Sequence, residues 1–154
     1  MKKILLSIKP SVYMKILSGK KIYEHRRAFP NENIIAYMYI SRPIQQISGI
    51  LYLENRVTLE EWKHQYEYDP LAISRIEEYM TKYKVAMEIQ QFQETTSIPL
   101  SRIKKDFPDF LVPQMYYYID NHPILGYIEN SIAPVGKPII HSFDNISSND
   151  ICVH

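Results

Sequence analysis

Apolar residues come in short clusters whose spacing changes along the chain. Residues 3–8 form an apolar run without clean alternation, the pattern of a strand buried on both faces. Pro10 then suits the first turn of a helix, Val12, Tyr13, Ile16 and Leu17 follow at helical spacing, and Gly19 supplies a left-handed stop. Residues 21–27 alternate as a strand does, with Ile22, Glu24 and Arg26 on one side and Lys21, Tyr23, His25 and Arg27 on the other. Both faces of that strand carry charge. The β-branched and aromatic runs 33–41 and 46–54, divided by Arg42-Pro43, predict two more strands. Gly49 inside the second marks a bulge or a close backbone approach.

The pattern then turns helical. Thr58 and Glu61 have capping-box spacing for a helix beginning near Leu59. Asp69-Pro70 opens another, in which Ile73, Ile76, Met80 and Tyr83 make an apolar stripe. Residues 58–83 therefore read as a helical insert packed on a sheet. Residues 84–93 return to strand, 99–105 predict a short helix, 114–120 a strand-like segment, 122–130 a further helix and 137–143 a closing strand. Residues 144–154 have little to bury and read as a tail. The expectation is a single α+β domain over residues 1–143, a mixed β-barrel of about five to six strands with peripheral helices.

With 154 residues, 45% of them hydrophobic, the chain can bury one sizeable core. The lone Cys152 excludes an internal disulfide, and no apolar run approaches membrane-spanning length. A cytoplasmic protein with no membrane partner is expected. A net charge of +1 hides a gradient: residues 1–27 hold Lys2, Lys3, Lys9, Lys15, Lys20, Lys21, Arg26 and Arg27 against Glu24 alone, so the remainder is net acidic. One positive face on a mildly acidic body can steer an anionic ligand.

Several chemistries find no support. The four glycines are scattered and build no phosphate loop. His25, His64, His122, His141, His154 and Cys152 show no metal-ligand spacing and read as surface groups, so neither a metal nor another cofactor is expected. Cys152, near a frayed terminus, lacks a fixed base to make it a nucleophile. Thirteen tyrosines, with the run Tyr116-Tyr117-Tyr118, supply rings able to stack on a base, although most belong to core and half-buried sheet positions.

Gly19-x-Lys21-x-x-Glu24-x-Arg26 resembles the G-x-K-x-x-E-x-R signature of the ASCH domain family, whose barrel is similar to that of PUA domains, RNA-binding modules. The order of segments agrees: a first strand, a helix ending at Gly19, the motif, and then Ser41-Arg42-Pro43 followed by a strand holding Gly49. Residues 98–103 resemble the family's short helix, and residues 112–119, with Pro113-Gln114, its P-Q segment. Met115 and Tyr117 stand where many relatives have serine or arginine. One branch, resembling amidohydrolases of acetylated cytidine, has a threonine nucleophile where this chain has Glu24.

The residues and the resemblance together imply a basic cleft that binds RNA, single-stranded nucleic acid or a nucleoside or nucleotide. Gly19, Lys21, Glu24, Arg26, Ser41, Gln114 and Tyr116 are its candidate residues. Lys21 and Arg26 would take the anion, Glu24 would order them or accept from a base, and Tyr116 or Tyr118 would stack. An alternative is a ribonuclease or modified-nucleoside amidohydrolase in which Lys21 and Glu24 do acid–base work. Another is a transcription co-regulator or protein-interaction module that exposes the apolar face of the insert. The strand pleat puts Lys21 on the parity opposite to Glu24 and Arg26.

Overall fold

The computed structural model describes residues 1–153. Its strands are β1 (Lys2–Ile8), β2 (Tyr23–Arg26), β3 (Ile34–Ile40), β4 (Gln46–Thr58), β5 (Val85–Gln93), β6 (Ile98–Pro99), β7 (Tyr116–Tyr118) and β8 (Ile139–Ile140). Six of them form a mixed sheet in the order β2-β5-β4-β3-β1-β7, with β6 on β4 and β8 on β5. The β1–β3 pair is parallel, from Lys2 opposite Ile34 to Ile8 opposite Ile40, and the other pairs are antiparallel. The helices are α1 (Pro10–Leu17), α2 (Leu59–Gln65), α3 (Pro70–Met80), α4 (Leu100–Asp106) and α5 (Pro123–Ser131). Among the described residues no helix is long and apolar enough to cross a membrane.

The sheet curls into a half-barrel, and β1 is buried on both of its faces, as its unbroken apolar run requires. Ile4, Leu6 and Ile8 point inward with Ala36, Met38, Leu51, Leu53 and Met87, and Ile16 of α1 plugs that core. Leu5 points outward with Tyr37 and Tyr39 under Ile103, Ile124 and Ile128 of α4 and α5. A third cluster sets Tyr23 and Ala86 of the sheet against Leu59, Trp62, Ala72, Ile76 and Tyr79 of the helical insert. Both sides of the sheet are thus covered, and the apolar side of the insert is turned to the sheet.

Local rules account for the insert. Thr58 accepts from the Glu61 amide at 3.1 Å while Glu61 Oε2 accepts from the Thr58 amide at 3.4 Å, completing the capping box. Asp69 caps α3, accepting from the amides of Leu71 and Ala72. The buried stripe of α3 is Ala72, Ile76 and Tyr79, rotated from the expected Ile73, Ile76, Met80 and Tyr83. The helix stops at Met80, so Tyr83 lies beyond it in the turn to β5.

Three other expectations change. The closing strand predicted for residues 137–143 is only Ile139–Ile140, because its single partner, β5, meets it only at Gln91 and Phe92. His25 is buried rather than superficial, since the outer face of β2 lies under the insert. The tail is no frayed end: Ile151 and Cys152 are 1% and 6% exposed and complete the third cluster. Ser148 ties this tail down, accepting from Arg75 through its carbonyl and donating to Asp69 Oδ2 at 2.6 Å.

Gly49 has φ +88° and sits at a bulge, where Tyr37 and Tyr39 of β3 pair with Ile50 and Ile47 of β4. A Cβ there would stand 2.6 Å from Met38 Cε and 2.9 Å from Phe92 Cε1. Gly49→Ala is expected to cost about 2–4 kcal/mol in urea denaturation, combining left-handed strain with overpacking. The thiol of Cys152 is pushed up to about 11 by burial, so it holds its proton when folded at a pH where the unfolded thiol, near 9.0, has lost its own. Cys152 therefore contributes stability that is present below pH 9 and lost as pH rises toward 11, a slope that Cys152→Ser removes. At pH 8 its reaction with Ellman's reagent is expected to be far slower in the native protein than in urea.

Candidate functional site at the mouth of the half-barrel

The alternation of β2 decides which side chains enter the barrel. Glu24 pairs with Met87 and Arg26 with Val85, both partners belonging to the interior core, whereas Tyr23 and His25 lie opposite Glu88 and Ala86. Glu24 and Arg26 therefore emerge together at the open end of the barrel. Arg26 Nε donates to Glu24 Oε1 at 3.0 Å, and Arg26 Nη2 donates to the carbonyl of Ser7 at 2.6 Å. That second bond joins β2 to the end of β1, strands that do not pair with each other in the sheet.

Around this pair is a cleft of about 510 Å³. Lys9 and Lys15 reach it from either end of α1, Lys82 and Tyr83 from the turn before β5, and His25 forms part of the wall. Ser41 and Gln114 complete the polar lining. They are placed by the ends of the ladders: the Ser41 amide donates to Ile8 and the Ser7 amide to Met115, each at 2.9 Å. Three lysines and an arginine face one carboxylate, so the cleft is cationic. Glu24 is 4% exposed, and its Oε2 is buried without a hydrogen-bond partner.

The structure brings four of the candidate residues, Glu24, Arg26, Ser41 and Gln114, into this cleft and leaves three outside. Lys21 precedes β2, which begins only at Tyr23, and its side chain lies on the side of His25. It is 4% exposed, and its Nζ lies 3.3 Å from His25 Nδ1 and donates to the carbonyl of Val153 at 2.9 Å. Burial lowers its pKa; Glu24 opposes that shift and Arg26 reinforces it. Gly19, at φ +81°, serves the turn between α1 and β2. Tyr116 is half-buried against Phe29, their ring centroids 6.0 Å apart, and Tyr118 packs edge-on against it at 6.2 Å.

Lys9, Lys15, Lys82, Tyr83 and His25 are members of the cleft that the motif does not name. Lys9 and Lys15 had a signal, being cations at the two ends of the helix that leads into the motif. Lys82 and Tyr83 had none, since only the curl of the sheet carries the turn before β5 to the barrel mouth. Tyr83 is braced there by His25 and Tyr79, with ring centroids at 6.2 and 5.7 Å. Among the described residues no group of histidine, cysteine, aspartate and glutamate is placed to hold a metal ion.

No protein-family model matches the sequence, and no curated protein is significantly similar to it. Solved structures are informative. The ASCH protein of Zymomonas mobilis matches at a TM-score of 0.63 and 24% identity, over 83% of this chain and 94% of its own. Two point mutants of it, at 23% identity, give a TM-score of 0.64 over 84% of this chain and 96% and 98% of theirs. The likeness covers most of the chain, which has the ASCH fold that the motif of residues 19–26 implied.

Proposed function

We propose that the chain is a reader of RNA that binds a nucleotide of a single strand in the cleft of Glu24 and Arg26. One observation carries this reading: a buried carboxylate oxygen without a donor stands beside an arginine held in place and three lysines. A nucleotide offers both complements, base N–H groups for Glu24 and a phosphate for Arg26 and the lysines. Inorganic anions offer only the second. Two bonds to the protein fix the Arg26 fork, and its remaining N–H groups are left for the ligand. Ser41 and Gln114 supply neutral groups for a ribose hydroxyl, and Tyr83 a ring for stacking. Turnover through Lys21 and Glu24 has weaker support, because Lys21 is not among the residues that line the cleft and its Nζ is engaged by His25 Nδ1 and the Val153 carbonyl.

Arg26→Ala is expected to weaken binding of a short single-stranded RNA by about tenfold and to flatten its salt dependence by about 0.7 in log–log slope. Glu24→Gln separates recognition from bracing. Removing a negative charge strengthens the binding of a bare anion, so phosphate affinity rises, whereas loss of the base contact makes nucleotide affinity fall by about tenfold. Titrations of both ligands against both folded variants measure this. Wild-type affinity for RNA in both variants, or no RNA binding by the wild-type protein, overturns the reading.

A further inference from the structure

Beside the cleft lies a second concavity of about 500 Å³, formed where the helical insert meets the ends of β2 and β4. Its cations are Arg27, Arg56 and Lys84, and its one acid is Glu60. All three cations are exposed, and none has an ion pair among the described residues, where the salt bridges are Lys3–Glu129 and Glu24–Arg26. Tyr83 lines both concavities. Adjacent residues divide between the two: Arg26 lines the first and Arg27 the second, while in the turn before β5 Lys82 lines the first, Lys84 the second, and Tyr83 between them lines both.

The frame beneath is fixed. The Lys84 amide donates to the Arg26 carbonyl at 3.0 Å, and the Leu59 amide donates to the Lys84 carbonyl at 2.9 Å, locking β2, the turn and the start of α2 together. The ring of Tyr83 is held at the same place by His25 and Tyr79. Two cationic hollows on either side of a braced aromatic ring match a polyanion with a planar group between its charges. A single nucleotide engages one hollow and leaves the other unused.

We propose that the second concavity is a continuation subsite for the same RNA strand, with Arg27, Arg56 and Lys84 holding phosphates beyond a base stacked on Tyr83. This rests on the reading of the first cleft as a nucleotide site. The reading sharpens accordingly from recognition of one nucleotide of a strand to recognition of successive nucleotides. The insert then has a role in recognition, since Thr58 and Met80 at its two ends line the subsite.

The test compares a hexaribonucleotide of mixed sequence with mononucleotides of the same bases, on the wild-type protein and on the triple variant Arg27→Gln, Arg56→Gln, Lys84→Gln. The wild-type protein is expected to bind the hexamer at least about tenfold more tightly, with a salt slope steeper by about 0.7 for each added phosphate contact. The triple variant is expected to lose that advantage and keep its mononucleotide affinity, which also reports that it is folded. Equal wild-type affinity for hexamer and mononucleotide overturns the subsite and leaves the cleft standing, as does full hexamer affinity in the triple variant. Wild-type protein that binds neither ligand overturns both. Should the variant not fold, the wild-type length comparison decides alone.

Discussion

Arg26 holds the half-barrel at the one place where its hydrogen-bonded ladder does not run. β2 and β1 are separated in the sheet by β5, β4 and β3, yet the guanidinium of Arg26 spans from Glu24 to the Ser7 carbonyl and joins them. Hydrogen bonds to a charged group contribute about 1.5–3 kcal/mol each when well formed. A lysine offers no planar fork and cannot reach a carboxylate and a carbonyl in fixed directions at once. The clasp therefore ties the two strand ends together across the mouth of the half-barrel and holds Glu24 beside them.

The same strand shows what a sequence can and cannot disclose. The alternation of residues 21–27 placed Glu24 and Arg26 together, since both lie within β2, and put Lys21 on the other parity, although that residue precedes the strand. It did not disclose where Lys21 goes. Its ammonium ends on the Val153 carbonyl, 132 positions away in the chain, and no local pattern encodes such a contact. The tail that supplies this carbonyl looked empty because its apolar residues, Ile146 and Ile151 to Val153, are too few and too irregularly spaced for a periodicity. Ile151 and Cys152 are buried because the insert offers them a socket, which is a property of the assembled fold.

Tyr83 illustrates the opposite error. Its spacing from Ile76 and Met80 suits a helical stripe, but Pro70 fixes the start of α3 and the helix ends before the stripe does. Freed from the helix, the residue serves the barrel mouth. The run of three tyrosines drew attention for its composition, yet β7 turns Tyr116 and Tyr118 against Phe29 and each other. Fold class, the capping of α2 and α3 and the bulge at Gly49 were legible because each follows from neighbours in the chain. The convergence of Lys9, Lys15, Lys82 and Tyr83 was not, since it requires the sheet to have curled.

The position of β1 bears on how the protein is made. It lies between β3 and β7, so one edge can pair once residues 34–40 are available, while the other waits for residues 116–118. Throughout that interval a strand whose core reads Ile4, Leu5 and Leu6 presents open amides and carbonyls, the kind of edge on which chains aggregate. Lys2 and Lys3 flank that apolar core, charges of the kind that discourage edge-to-edge pairing between chains.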